Sequence, residues 1–202
     1  MRLIVLTQPF FFEGEVAAIT ALFRAGLELL HLRKPASSVE ECRALLEQLP
    51  PFCRERIVLH DHHGLCSEFR LRGLHLNGRN PAFPPGFSGQ RSASCHSLAE
   101  LAERKRTGEF DYLFLSPVFD SLSKQGYHSA FSAEVLAAAR DEGLIDAQVM
   151  ALGGIRPELL PQTAAWGFGG AVVLGYVWQD NPSERLRLLQ QAAARAGECS
   201  LR

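Results

Sequence analysis

The sequence predicts an α/β fold, a single (β/α)₈ TIM barrel with eight parallel strands, and three observations carry that reading. Short apolar, β-rich runs recur eight times, each followed by a stretch with helical spacing or by a loop. Several runs, among them IVL, LFL and AVVL, are apolar on both faces, which suits a parallel sheet covered by helices. The 202 residues hold no linker or low-complexity tract, so residues 1–202 read as one domain at the compact end of the barrel's size range. A doubly wound open sheet is the rival topology.

In chain order, RLIVLT (2–7) reads as the first strand and is followed by a helix near 13–25. LELLHL (27–32) precedes a helix at 38–49 with Ser38 placed to cap it, and RIVLHD (56–61) precedes one at 64–71. GLHLN (73–77) leads into NGRNPAFPPGFSGQ (77–90), whose Pro and Gly leave little space for a helix and predict a loop. RSASCH (91–96) and DYLFLS (111–116) are followed by helices at 97–107 and 132–142, with Ser97 and Ser132 as caps. QVMALGG (148–154) and AVVLG (171–175) complete the set, with helices near 157–165 and 182–196, the last capped by Ser183.

Apolar residues make up 47% of the chain and charged ones 21%, with a formal net charge of -1, which leaves none of the basic surplus that nucleic acid requires. MRLIVLTQPFFF is interrupted by Gln8 and Pro9 and reads as a buried strand instead of a signal peptide. No run reaches the roughly 18 apolar residues of a membrane helix. The five cysteines, Cys42, Cys53, Cys66, Cys95 and Cys199, form no CxxC pair and predict free thiols in a reducing cytoplasm. The expectation is a cytoplasmic protein with no nucleic-acid or membrane partner, and nothing in the residues forbids a homo-oligomer.

In a parallel barrel the carboxyl ends of the strands carry function, because the βα loops build that rim. The second strand ends in His31-Leu32-Arg33-Lys34, the third in His60-Asp61-His62-His63, and the fifth in Ser94-Cys95-His96. The fourth offers His75 and Asn77, and the sixth runs into FLSPVFDSLSKQG (114–126), with Ser121, Ser123 and Lys124. Asp61 is the lone carboxylate among these histidines. LHDHHG (59–64) invites a transition-metal reading, but neighbouring strand residues face opposite ways, so His62 and His63 are poorly placed to share an ion. Asp61 as ligand to a hard ion such as Mg²⁺, beside a phosphorylated substrate, is preferred. In ALGGIRPELL (151–160) the amides of Gly153 and Gly154 can approach a phosphate, and Gly175 ends the last strand; ordinary tight turns are the plain alternative. Arg33, Lys34 and Lys124 with the nearby hydroxyls then describe a rim for phosphate and diphosphate.

Taken in order, HLRKP (31–35), HDH (60–62), GLHLNGRN (73–80), SASCHS (92–97), SPVFDSLSK (116–124), GGI (153–155) and VVLG (172–175) resemble the successive motifs of the thiamine-phosphate synthase (thiamine-phosphate pyrophosphorylase) family over nearly the whole chain. The resemblance implies a (β/α)₈ transferase that uses Mg²⁺ to join hydroxymethylpyrimidine diphosphate to hydroxyethylthiazole phosphate, giving thiamine phosphate and pyrophosphate. It implies that diphosphate departs before the thiazole nitrogen attacks. It also implies roles for residues: Arg33, Ser94 and Lys124 on the leaving diphosphate, His31 at a pyrimidine-contacting position, His60 beside Asp61, and Asp61 with Asn80 at the metal positions. Ser121 and Ser123 fall on the thiazole side, and Gly153, Gly154 and Gly175 on the thiazole phosphate. Lys34 stands next to the family's lysine position, which is Pro35 here. Asn80 is uncharged where the family has an acid, which weakens Mg²⁺ binding, and His31 and His60 replace amides, which predicts pH sensitivity near neutrality.

Two alternatives belong to other classes. Thiazole tautomerase is a related barrel, but its characteristic histidine would fall near Pro117, which transfers no proton. A non-catalytic phosphate-ligand binder or regulator predicts the substitutions at positions 35 and 80. The synthase assignment predicts that Lys124→Ala lowers turnover strongly while His63→Ala changes it far less; steady-state assays giving equal effects contradict it.

Overall fold

The computed structural model describes residues 1–120 and 131–199. All eight apolar runs form strands: β1 (Arg2–Leu6), β2 (Leu29–Leu32), β3 (Ile57–Leu59), β4 (Gly73–Leu76), β5 (Gln90–Cys95), β6 (Tyr112–Leu115), β7 (Val149–Leu152) and β8 (Gly170–Val173). Each pairs in parallel with the next, and β8 returns to β1, setting Gly170 against Arg2 and Val173 against Val5. Closure rules out the open-sheet rival and leaves no unpaired edge.

The helices are α1 (Glu15–Arg24), α2 (Val39–Gln48), α3 (Pro51–Arg54), α4 (Gly64–Glu68), α5 (Leu98–Thr107), α6 (Ala133–Asp141), α7 (Leu160–Ala165) and α8 (Pro182–Cys199), with a 3₁₀ turn at Pro157–Leu159 leading into α7. Ser38, Ser97 and Ser132 cap as expected, their hydroxyls accepting from the backbone N–H of Glu41, Glu100 and Val135; such caps contribute about 1 kcal/mol each. Ser183 does not cap α8. Asn181 Oδ1 accepts from the Glu184 N–H at 3.3 Å and Pro182 opens the helix, so Ser183 lies inside the first turn. Helix α3 is too short for periodicity to reveal. The connection from β4 to β5 holds no helix, in line with its Pro and Gly content.

Strand alternation sorts the core into two layers. On β2, Leu29 points into the barrel and Leu30 and Leu32 point out toward the helices; on β6, Tyr112 and Phe114 point in and Leu113 and Leu115 out. Inside, Ile4, Leu6, Met150 and Val172 make the β7–β8–β1 side apolar. The β2–β6 side of the interior instead contains His31, His60, His75, Ser92 and Tyr112, all buried.

At the carboxyl rim, the turn after β7 is clasped to the segment after β6. Val118 N–H donates to Leu152 O at 2.9 Å and Phe119 N–H to Gly153 O at 3.3 Å. Gly153 and Gly154 have φ of 108° and 64°, and a Cβ on Gly154 would sit 2.3 Å from Asp120 O. The close approach and the left-handed backbone both demand glycine here. Gly154→Ala is expected to lower stability by about 2 kcal/mol or more, read as a fall in the denaturant midpoint.

Candidate active site

Register brings the interior polar side chains to neighbouring levels: His31 pairs with Val58, two residues before His60, His75 pairs with Ser92, and Ser92 pairs with Tyr112. The result is a hydrogen-bonded chain. His31 Nδ1 lies 2.8 Å from His60 Nε2, and His31 Nε2 lies 2.7 Å from Tyr112 Oη. His75 bridges Ser92 Oγ and Ser94 Oγ, each at 2.8 Å. His60 and His75 stack with centroids 4.0 Å apart, and Phe114 covers both His31 and His75 at 4.8 and 4.6 Å. Burial, aided by the charge of Arg2, pushes the His31 pKa down to about 3. Burial and then the neighbouring imidazoles hold His60 and His75 well below their usual values. All three imidazoles are therefore neutral, each with one donor and one acceptor nitrogen.

Nitrogens of these three histidines lie within 4.8 Å of one another, a spacing compatible with a metal trio. Both nitrogens of His31 and both of His75 are already hydrogen-bonded to protein groups, so the trio reads as a satisfied polar core.

Above it, His60 carries the mouth. Its backbone carbonyl accepts from Asn77 Nδ2 and Asn80 Nδ2, both at 2.9 Å. Asn77 Oδ1 accepts from the N–H groups of Arg79 and Asn80, and Asn77 and Asn80 exchange backbone hydrogen bonds at 3.1 Å, which locks a tight reversal. That turn sets Arg79 on Asp61: Nε and Nη2 donate to Asp61 Oδ1 at 3.1 and 3.0 Å. Asn80 Nδ2 also reaches Oδ1 at 3.3 Å, while Asp61 Oδ2 is buried without a hydrogen-bond partner. Arg33 joins this cluster. Its backbone is clamped by Thr7, whose Oγ1 accepts from Arg33 N–H at 2.9 Å and donates to Arg33 O at 3.2 Å. Burial and then the charge of Arg79 lower the Arg33 pKa, and Asp61 draws it back up. Arg79 bonds the carboxylate and Arg33 lies near enough to feel both charges, so two guanidiniums stand beside one carboxylate on this side of the mouth.

The predicted residues separate into groups. Arg33, His60, Asp61, Ser94 and Asn80 gather on the β2–β5 side, with Ser94 oriented by His75. Gly153, Gly154 and Gly175 lie at the same rim on the β7–β8 side. Ser121, Ser123 and Lys124 fall outside the described residues. Lys34 departs from the reading. It is 1% exposed and its ammonium is held by Glu15 Oε1 at 2.6 Å and Phe10 O at 2.7 Å, so its charge is spent internally. His31, expected against a pyrimidine, is fully buried with both nitrogens bonded to protein; it supports His60 from below. Arg79, Thr7 and Tyr112 escaped sequence reading. The only hint of Arg79 was its place in NGRN, beside a position where the resemblance asked for an acid.

Comparison with known proteins bears on this geometry. A family model described as thiamine monophosphate synthase matches residues 3–177. The chain belongs to the thiamine monophosphate synthase family. It is similar to a solved thiamine phosphate pyrophosphorylase from Bacteroides thetaiotaomicron, with a TM-score of 0.86 and 42% identity over 96% of this chain and 98% of that one. The thiamine-phosphate synthase of Bordetella pertussis is 28% identical over 176 residues, 81% of each protein. A thiamine phosphate pyrophosphorylase from Pyrococcus furiosus, 20% identical with a TM-score of 0.79 over 96% of each chain, shares the fold.

Within this family frame the neutral imidazoles correct the expected pH behaviour: His31 and His60 do not titrate near neutrality in the folded chain. Their folded pKa values, and that of His75, lie below the unfolded value of about 6.5. As pH falls through that value the unfolded chain takes up protons that the folded chain refuses. Stability is complete above this range and is lost on acidification, by about 1.4 kcal/mol per pH unit for each histidine that stays neutral. Denaturant midpoints should fall steeply between about pH 7 and pH 5, and His31→Gln should flatten that slope.

Proposed function

We propose that this chain is a thiamine-phosphate synthase, a transferase that joins hydroxymethylpyrimidine diphosphate to hydroxyethylthiazole phosphate and releases pyrophosphate. Family membership supports the activity, and one observation carries it onto this site. A positive, donor-lined half of the mouth, with Arg33, Arg79 and Ser94, shares the carboxyl rim with the glycine turns that stand above the apolar half of the barrel.

The reaction needs charge stabilisation and alignment more than proton transfer. The bond between the pyrimidine methylene and diphosphate oxygen breaks with its electron pair going to the diphosphate. The thiazole nitrogen then supplies its lone pair to the methylene, forming the new C–N bond. Arg33 and Ser94 stabilise the departing anion, with Ser94 held in place by His75 at 2.8 Å, and Lys124 is assigned to the same anion. His60 borders the pyrimidine. Ser121 and Ser123 serve the thiazole, and the amides of Gly153, Gly154 and Gly175 its phosphate. Partners are small molecules. No helix among the described residues is long and apolar enough to cross a membrane, and the free, buried Cys42, Cys53, Cys66 and Cys95 fit a reducing cytoplasm.

The family implies Mg²⁺, at Asp61 and Asn80 by the sequence correspondence. The donor set does not fit a protein-held dication. Asp61 Oδ1 already accepts from Arg79 and Asn80, Asn80 turns its amide nitrogen toward the carboxylate, and the remaining Oδ2 is one oxygen close to a guanidinium.

Incubating the protein with both substrates should yield thiamine phosphate and pyrophosphate in equal amounts, and Arg33→Ala should cut turnover by about 10²-fold. Isomerised thiazole phosphate alone would assign the tautomerase reaction. Ligand binding without turnover would assign the regulator, a reading favoured by the sequestered Lys34.

A further inference from the structure

The cluster at the mouth of β3 and β4 contains a feature that neither the resemblance nor the relatives assign: a guanidinium seated on the carboxylate where a metal was expected. Three observations make it a built arrangement. Asn77 and Asn80 fix the turn by mutual backbone bonds and pin it to the His60 carbonyl, so the position of Arg79 does not depend on its own side chain. The guanidinium approaches Asp61 with two of its nitrogens, Nε and Nη2, at 3.1 and 3.0 Å, and among the described residues nothing accepts from Nη1. The Arg79 side chain is 44% exposed against 11% for Asp61, so the cation, not the carboxylate, meets whatever enters the mouth.

Charge accounting agrees. A magnesium ion between two carboxylates is neutral as a unit, and so is one guanidinium on one carboxylate. With Asn80 uncharged, Arg79 on Asp61 restores the neutral unit and leaves Arg33 as the excess positive charge beside it. A dication placed at Asp61 Oδ2 would instead add to two guanidiniums, which Coulomb repulsion in a partly desolvated site opposes. Arginine also presents planar paired donors that match phosphate oxygens, and it is charged at every working pH.

We propose that the Arg79 guanidinium replaces the divalent cation in this chain, so that the mouth binds inorganic pyrophosphate, the product anion, without metal. The inference rests on the reading that this half of the mouth takes diphosphate. Asp61 acts as a positioning residue: it holds Nε and Nη2 and thereby turns the opposite edge of the guanidinium toward the anion.

The test is calorimetric titration of the full chain with sodium pyrophosphate, once in EDTA and once with Mg²⁺. Wild type should bind in EDTA, with an affinity that Mg²⁺ changes less than about threefold, and Arg79→Gln should weaken binding in EDTA by about tenfold or more, in the range of a lost charge-assisted contact. The double variant Arg79→Gln with Asn80→Asp, which frees one carboxylate and adds a second, should regain binding only when Mg²⁺ is present. It should also bind Mn²⁺ by electron paramagnetic resonance, whereas wild type should not. Binding by wild type that requires Mg²⁺, Mn²⁺ held by wild type, or Arg79→Gln equal to wild type in EDTA would each overturn the inference while leaving the diphosphate reading intact. Absence of pyrophosphate binding under both conditions would overturn the inference and the diphosphate reading together.

Discussion

The hydrogen bond between His31 Nδ1 and His60 Nε2, 2.8 Å long and sealed inside the closed sheet, ties the interior of this barrel to its mouth. A closed parallel sheet excludes water, so every polar atom inside must find a partner there. His31 finds two, in His60 and Tyr112, and His75 finds two serines on β5. The side chain of His60 is thereby fixed from below, and its carbonyl becomes the anchor for the amides of Asn77 and Asn80. The turn that presents Arg79 to Asp61 is thus seated on the same residue that ends the interior chain.

The division of the interior follows from this. Strands β7, β8 and β1 contribute Met150, Val172, Ile4 and Leu6, which pack without directional demands. Strands β2 to β6 contribute imidazoles, hydroxyls and a phenol, whose hydrogen bonds dictate orientation. Directional bonding is placed under the half of the mouth that carries the guanidiniums and Ser94, and shape-filling apolar packing under the half where glycine turns bring backbone close. Preorganisation of donors is what an anion-releasing reaction asks of a protein.

Substitutions that looked like losses in the sequence become coupled in the structure. Asn80 is uncharged where the resemblance implies an acid, yet its amide bonds both the His60 carbonyl and Asp61, and its neighbour Arg79 supplies a positive charge to that carboxylate. His31 and His60, standing where the resemblance implies amides, bond each other. Lys34, one residue from the position where the resemblance implies a lysine, pairs with Glu15 at the start of α1 and donates to Phe10 O, which anchors the loop after β2 to the loop after β1 and to α1.

Most of the architecture was legible in residue order, because strand and helix periodicity are local and each run that must be buried on both faces advertises itself as a continuous apolar stretch. The ends of the strands were legible too, and with them the list of residues at the carboxyl rim. What those residues do was not. Glu15 and Lys34 are nineteen positions apart and Thr7 and Arg33 twenty-six, and no local pattern announces that a lysine in a phosphate-like motif will spend its charge on a distant glutamate. Neutrality of the histidines likewise depends on burial inside a closed sheet, and a chain cannot reveal depth. The sequence by itself determined eight strands, all but the fourth followed by a helix, and the polar and cationic residues at their carboxyl ends, since these rest on composition and spacing. Only the tertiary structure decided which cations face the mouth, because that choice is made by partners brought together when the sheet closes.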